Sequence, residues 1–132
     1  MANEWTIQST ATVSNGNLKY SHRPAAFRLT QTTKNGPTPG AVSATTSGVT
    51  VSLAQLTTPG IVILTNTDAT NYVSIGLYTG GTTYRPFAEI AAGESYVFKL
   101  ARDILTANTA DSVLRLKADT ATCIVMVQAF DK

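Results

Sequence analysis

The sequence predicts an all-β fold, a single antiparallel β-sandwich or jelly-roll-like domain of about eight strands spanning residues 1–132. Three observations point there. Apolar side chains recur at every second position in segment after segment, the pattern of a strand with one buried face. Turn-forming residues separate these segments at intervals of about eight to twelve residues. Helix signal is confined to Ala101–Asn108, where Thr106 and the flanking aspartates suit a loop equally well.

From the amino terminus, Trp5, Ile7, Ala11 and Val13 share one parity against Thr6, Gln8, Thr10 and Thr12, predicting one long first strand with a solvated face. Asn15-Gly16 offers positive φ at both centres of a type I′ turn, joining that strand to Leu18-Lys19-Tyr20. Phe27 and Leu29 alternate with Arg28 and Thr30. The segment from Thr32 to Ser47 contains Asn35-Gly36-Pro37-Thr38-Pro39-Gly40, too much proline and glycine for a strand, and is expected to form an exposed loop or arm. Alternation resumes at Val49, Val51 and Leu53, at Val73, Ile75 and Leu77, at Tyr96, Phe98 and Leu100, and at Leu114, Leu116 and Ala118. Ile61–Leu64 and Ile124–Val127 are apolar throughout, as central strands covered on both faces are. Pro59-Gly60, Gly80-Gly81 and Ala92-Gly93 mark short connections. Asp68 and Asn71 are suited to bonding the backbone amides of the bend before Val73.

A length of 132 residues fits one domain with a core that needs neither disulfides nor a structural metal. Charged residues make up only 14% of the chain, against the quarter or so usual in soluble domains, and Thr, Ser, Asn and Ala fill the deficit. Such a weakly charged surface suits dense packing against other subunits. Net charge is +2 with the basic residues scattered, so no phosphate-binding stripe is visible and no nucleic-acid partner is expected. The start Met1-Ala2-Asn3-Glu4-Trp5 lacks the regions of a secretory signal, and no apolar run approaches membrane-spanning length. Cytoplasmic synthesis and no membrane partner are the expectation.

Chemistry-bearing residues are few. The one histidine, His22, has no Gly-x-Ser-x-Gly elbow to work with, and the one cysteine, Cys123, lies in an apolar run that predicts a buried, inert thiol. One Cys and one His far apart make a poor zinc set. Asp68, Asp103, Asp111 and Asp119 lack EF-hand spacing, so a calcium loop is the weaker reading beside structural turns. Glu89 and Glu94 flank the Ala91-Ala92-Gly93 turn, where a solvated pair is expected rather than a glycosidase pair. The sequence therefore predicts no enzyme, no catalytic residue, no metal and no cofactor. Aromatic and arginine side chains remain as interface anchors. With residues of the Pro/Gly arm, the candidate partner interface comprises Trp5, Tyr20, Arg23, Lys34, Pro37 and Pro39, together with Tyr84, Arg85 and Phe87 on a rim element.

One stretch carries a resemblance. Thr58-Pro59-Gly60-Ile61-Val62-Ile63-Leu64-Thr65-Asn66-Thr67-Asp68-Ala69-Thr70-Asn71-Tyr72-Val73-Ser74-Ile75-Gly76, continuing through Tyr84-Arg85-Pro86-Phe87, Ala92-Gly93-Glu94-Ser95-Tyr96 and Lys117-Ala118-Asp119-Thr120-Ala121, resembles small virion proteins of tailed bacteriophages. The resemblance covers roughly the carboxy-terminal half and is one of turns and strands. It implies a virion component released by lysis. The expected function is a capsid decoration or cement protein that binds the major capsid protein or another virion protein. Alternatives are a tail or fibre component forming a homo-oligomer, and a carbohydrate-binding β-sandwich module.

Overall fold

The computed structural model describes residues 4–79, 82–104 and 113–132. Among these residues there are twelve strands and no helix. The Gly80-Gly81 connection, Thr106, Asp111 and half of the Ala101–Asn108 segment lie outside the described residues. The chain divides into two compact units: residues 1–33 with Lys132, and residues 34–131.

The amino-terminal unit is an antiparallel ribbon. Strand β1 (Trp5–Ile7) pairs with β4 (Phe27–Leu29), and β2 (Ala11–Asn15) pairs with β3 (Leu18–His22). The single long first strand expected from parity is thus split. Between the two ladders, residues 8–10 on one side face residues 23–26 on the other, so the register shifts by one. Pro24 in that interval has no N–H to donate to a ladder. The hairpin turn falls one residue later than predicted: Asn15 pairs with Leu18, and Gly16-Asn17 form the loop, with Gly16 at φ +55°. That left-handed conformation is one a side chain rarely adopts.

The carboxy-terminal unit holds two four-stranded antiparallel sheets. The first runs β10 (Ser95–Lys99), β7 (Pro59–Asn66), β12 (Cys123–Asp131), β5 (Thr38–Ala44). The second runs β6 (Val49–Thr50), β11 (Arg115–Ala118), β8 (Val73–Thr79), β9 (Thr83–Ile90). One cluster of buried side chains draws on both: Val62, Leu64, Val125 and Val127 from the first, Val73, Ile75, Ile90 and Leu116 from the second. Burying each of these is worth about 1.5–3 kcal/mol, so this cluster carries the stability of the unit. Leu114, Leu116 and Ala118 fall on the predicted parity, all essentially inaccessible to solvent.

Three expectations change here. Thr38–Ala44 is a strand rather than part of an arm, hydrogen-bonded along its length to β12, with Thr38 and Ala44 buried. It tolerates Pro39 and Gly40 because it is an edge strand, where a missing donor need not break a ladder on both sides. Pro59-Gly60 opens β7 instead of preceding it. Strand β12 is central but not covered on both faces: Cys123, Val125, Val127 and Ala129 are buried while Ile124 and Met126 are exposed.

Two buried polar side chains tie the loops to this unit. Asn66 donates through Nδ2 to the carbonyls of Asn71, Ala91 and Ile90 at 2.8, 3.2 and 3.3 Å, and its Oδ1 accepts from the Asp68 amide at 3.1 Å. Asp131 accepts from the Thr58 and Thr57 amides at 2.8 and 3.3 Å and from Asn35 Nδ2 at 2.9 Å. The bend before Val73 forms as the sequence predicts, with Asp68 Oδ1 accepting from the Thr70 and Asn71 amides at 2.8 and 2.7 Å.

Candidate functional site

Two surfaces group exposed side chains. The first is the β2–β3 hairpin, in which all ten strand residues are exposed. Alternation along paired strands puts Val13, Leu18, Tyr20 and His22 on one face and Thr12, Ser14, Lys19 and Ser21 on the other. One face is therefore apolar, and Leu18 and Tyr20 are 60% and 55% exposed on it. Tyr20 and His22 stack, with centroids 6.3 Å apart and planes within 9°.

The second surface is an open groove of about 600 Å³ on the sheet that contains β8, β9 and β11. Its floor is built by a glycine. A Cβ at Gly76 would stand 2.5 Å from the Arg85 carbonyl oxygen and 2.7 Å from Tyr84 Cε2, so only hydrogen at this position lets the Tyr84 ring lie across β8. Tyr84 then donates its hydroxyl proton to the Ser74 carbonyl at 3.0 Å, and Ser74 Oγ donates to the Lys117 carbonyl at 3.1 Å. Edge-to-face contact with Tyr78 holds the ring at a 6.2 Å centroid distance. Tyr78 in turn carries the Arg115 guanidinium 3.6 Å above its centroid, and Arg115 Nη1 donates to Thr50 Oγ1 at 2.6 Å. Burial raises the Tyr84 pKa above its ordinary value, so the phenol stays protonated at neutral pH.

The walls combine rings and charge. Register on β9 shifts between Ala88 and Pro86, opposite Ile75 and Gly76, and the extra residue at that bulge is Phe87. Bulges re-aim side chains, and Phe87 is 61% exposed at the groove. Tyr72 also lines it. Glu89, Asp119 and Lys117 supply the charges. Asp119 Oδ1 accepts no hydrogen bond among the described residues.

The sequence-predicted interface residues are divided between the two units. Trp5, Tyr20 and Arg23 belong to the amino-terminal unit, with Trp5 half-buried on β1 and Arg23 exposed. Lys34, Pro37 and Pro39 are exposed around the start of β5. Tyr84 and Phe87 line the groove, and Arg85 is exposed beside them on β9. Sequence reasoning missed Lys117 and the grouping of Tyr72 with Glu89 and Asp119. The usable signal was parity, since Lys117 and Asp119 lie opposite the buried Leu116 and Ala118.

Other candidate chemistry is placed elsewhere. Cys123 is buried, its Sγ donating to the Ala121 carbonyl at 3.4 Å, and burial pushes its thiol up, away from the reactive thiolate. Glu94 Oε2 accepts from the Ala91 amide at 2.8 Å and so closes the Ala92-Gly93 turn, where Gly93 has φ +76°. Among the described residues, no three of His, Cys, Asp and Glu are grouped to hold a metal ion. The chain matches no protein-family model, no curated protein and no solved structure.

Proposed function

We propose that the chain is a non-enzymatic assembly protein, a capsid decoration protein of a tailed bacteriophage that docks on the major capsid protein through its amino-terminal ribbon. The observation that carries this reading is the exposed hairpin with one apolar face. A two-stranded ribbon is marginal in water by itself, and pairs such as Val13 opposite Tyr20 contribute only about 0.2–1 kcal/mol each. Covering Val13, Leu18 and Tyr20 with a second chain supplies the missing burial, and its free strand edges offer hydrogen bonds to a neighbour. The sparse charge of the sequence fits close packing among subunits.

The strand pairing supports a jelly-roll reading of the carboxy-terminal unit. Of β5 to β12, the first pairs with the last (β5–β12), the second with the second from last (β6–β11), and then β7 with β10 and β8 with β9. Nested pairing of this kind is that of one long hairpin rolled into two facing sheets, an architecture found in viral capsid and lectin domains. The link to virions through fold is analogy, since one fold hosts many functions.

A second reading, a homo-oligomeric tail or fibre component, is favoured by one observation. Ile124, Met126 and Val97 are exposed on the core-averted side of the β10-β7-β12-β5 sheet. Light scattering after gel filtration, run with and without capsids of the phage that encodes the chain, separates the two. Decoration predicts a chain that co-migrates with capsids and raises their melting temperature. A stable oligomer alone, with no capsid binding, would replace it with the second reading.

A further inference from the structure

We infer that the groove over β8, β9 and β11 binds a neutral sugar ring, taking one pyranose unit of a glycan against its exposed rings, Phe87 and Tyr72. This is separate from docking through the ribbon and does not depend on it. A volume of about 600 Å³ is within the range of small-ligand sites, and the groove is open, as a site for one unit of a longer chain must be.

Lining chemistry selects the ligand. A pyranose has an apolar C–H face and a rim of hydroxyls. Phe87 and Tyr72 are exposed rings, bodies of apolar area with little conformational entropy to lose. Glu89 and Asp119 are acceptors for hydroxyl donors, and the Lys117 ammonium donates to hydroxyl or ring oxygens. Tyr84 donates its hydroxyl hydrogen bond to the Ser74 carbonyl, which leaves its own oxygen able to accept. Two carboxylates against one ammonium disfavour phosphate, sulfate and nucleotides. The ammonium in turn disfavours a cationic side chain as occupant, and the polar half of the lining disfavours a purely apolar ligand.

The platform is also preorganised. Gly76 admits the Tyr84 ring, Phe87 stands at the bulge, and Tyr78, itself under Arg115, meets Tyr84 edge to face. A Tyr84 ring held in this way loses little freedom when a ligand arrives.

The test is a titration of the isotope-labelled full chain, followed by amide and aromatic chemical shifts, with lactose, maltotriose, cellotriose and N,N′-diacetylchitobiose, each to tens of millimolar. The inference expects at least one of them to shift resonances of Tyr72, Tyr84, Phe87 and Lys117 together. In Phe87→Ala the same sugar should bind roughly tenfold more weakly, the scale of one lost aromatic contact, with the rest of the spectrum unchanged. Glu89→Gln should weaken it less, and Lys99→Ala on the other sheet should leave it unaffected. No groove shift with any of the four sugars would overturn the inference. So would shifts that survive Phe87→Ala, or a groove that responds to inorganic phosphate or lysine and to none of the sugars.

Discussion

The two units use the same strand pairing to opposite ends. In the carboxy-terminal unit, alternate side chains from two sheets meet in one buried cluster. In the amino-terminal hairpin the same alternation yields an apolar face with nothing buried. Pairing sets which side chains share a face, and only a second layer turns that face into stability. On the proposed reading, the second layer for the ribbon comes from another chain.

The sharpest way to break this comparison is to truncate one apolar side chain in each unit. Leu116→Ala should cost about 2–5 kcal/mol, because it empties space in a close-packed core. Leu18→Ala should stay within about 0.5 kcal/mol, because its side chain is already wet. Chemical denaturation of both variants measures the difference, and equal costs would erase the distinction. Next in size, Asn66→Ala leaves the Asp68 amide and three carbonyls short of a partner and should cost about 1–3 kcal/mol by the same measurement. Gly76→Ala should also cost about 1–3 kcal/mol, since the new methyl meets the Arg85 backbone as well as the Tyr84 ring. Displacement of that ring would be read in the Tyr84 aromatic resonances.

The smallest effect is pH-dependent. Hydrogen bonds from the Asn71 and Thr70 amides hold the Asp68 carboxyl below its ordinary value. A carboxylate with a depressed folded-state pKa stabilises the fold above its unfolded pKa, and that contribution fades as pH falls through the folded value. Asp68→Asn should therefore flatten the acid limb of the stability curve slightly and leave neutral pH behaviour nearly as it was. An acid limb identical to that of the parent would remove Asp68 from the account.

Much of the carboxy-terminal fold was legible because its periodicity is local. Leu114-Arg115-Leu116-Lys117-Ala118 declares its buried face outright, and Asp68 with Asn71 declares its bend. Strand β5 was not legible, because Pro39 and Gly40 forbid a central strand but not an edge one. Exposure of Ile124 and Met126 was hidden for a different reason: an apolar run does not say whether its second face finds a cover. The split of the first strand follows from the extra residue opposite positions 8–10, which parity alone cannot reveal. The groove was half visible. Tyr84 and Phe87 stood out as aromatics, but bringing them to Lys117 and Asp119 required the pairing of β8 with both β9 and β11.

Docking through the ribbon requires the hairpin to gain a cover from another chain. Hydrogen exchange of the amides in β2 and β3, compared between the isolated chain and capsids carrying it, addresses that claim most directly. Docking through the ribbon implies fast exchange in the isolated chain, while β7 and β12 amides stay protected, and strong slowing of the hairpin on the capsid. Hairpin amides as protected as the core in the isolated chain, or unprotected in both states, would contradict it.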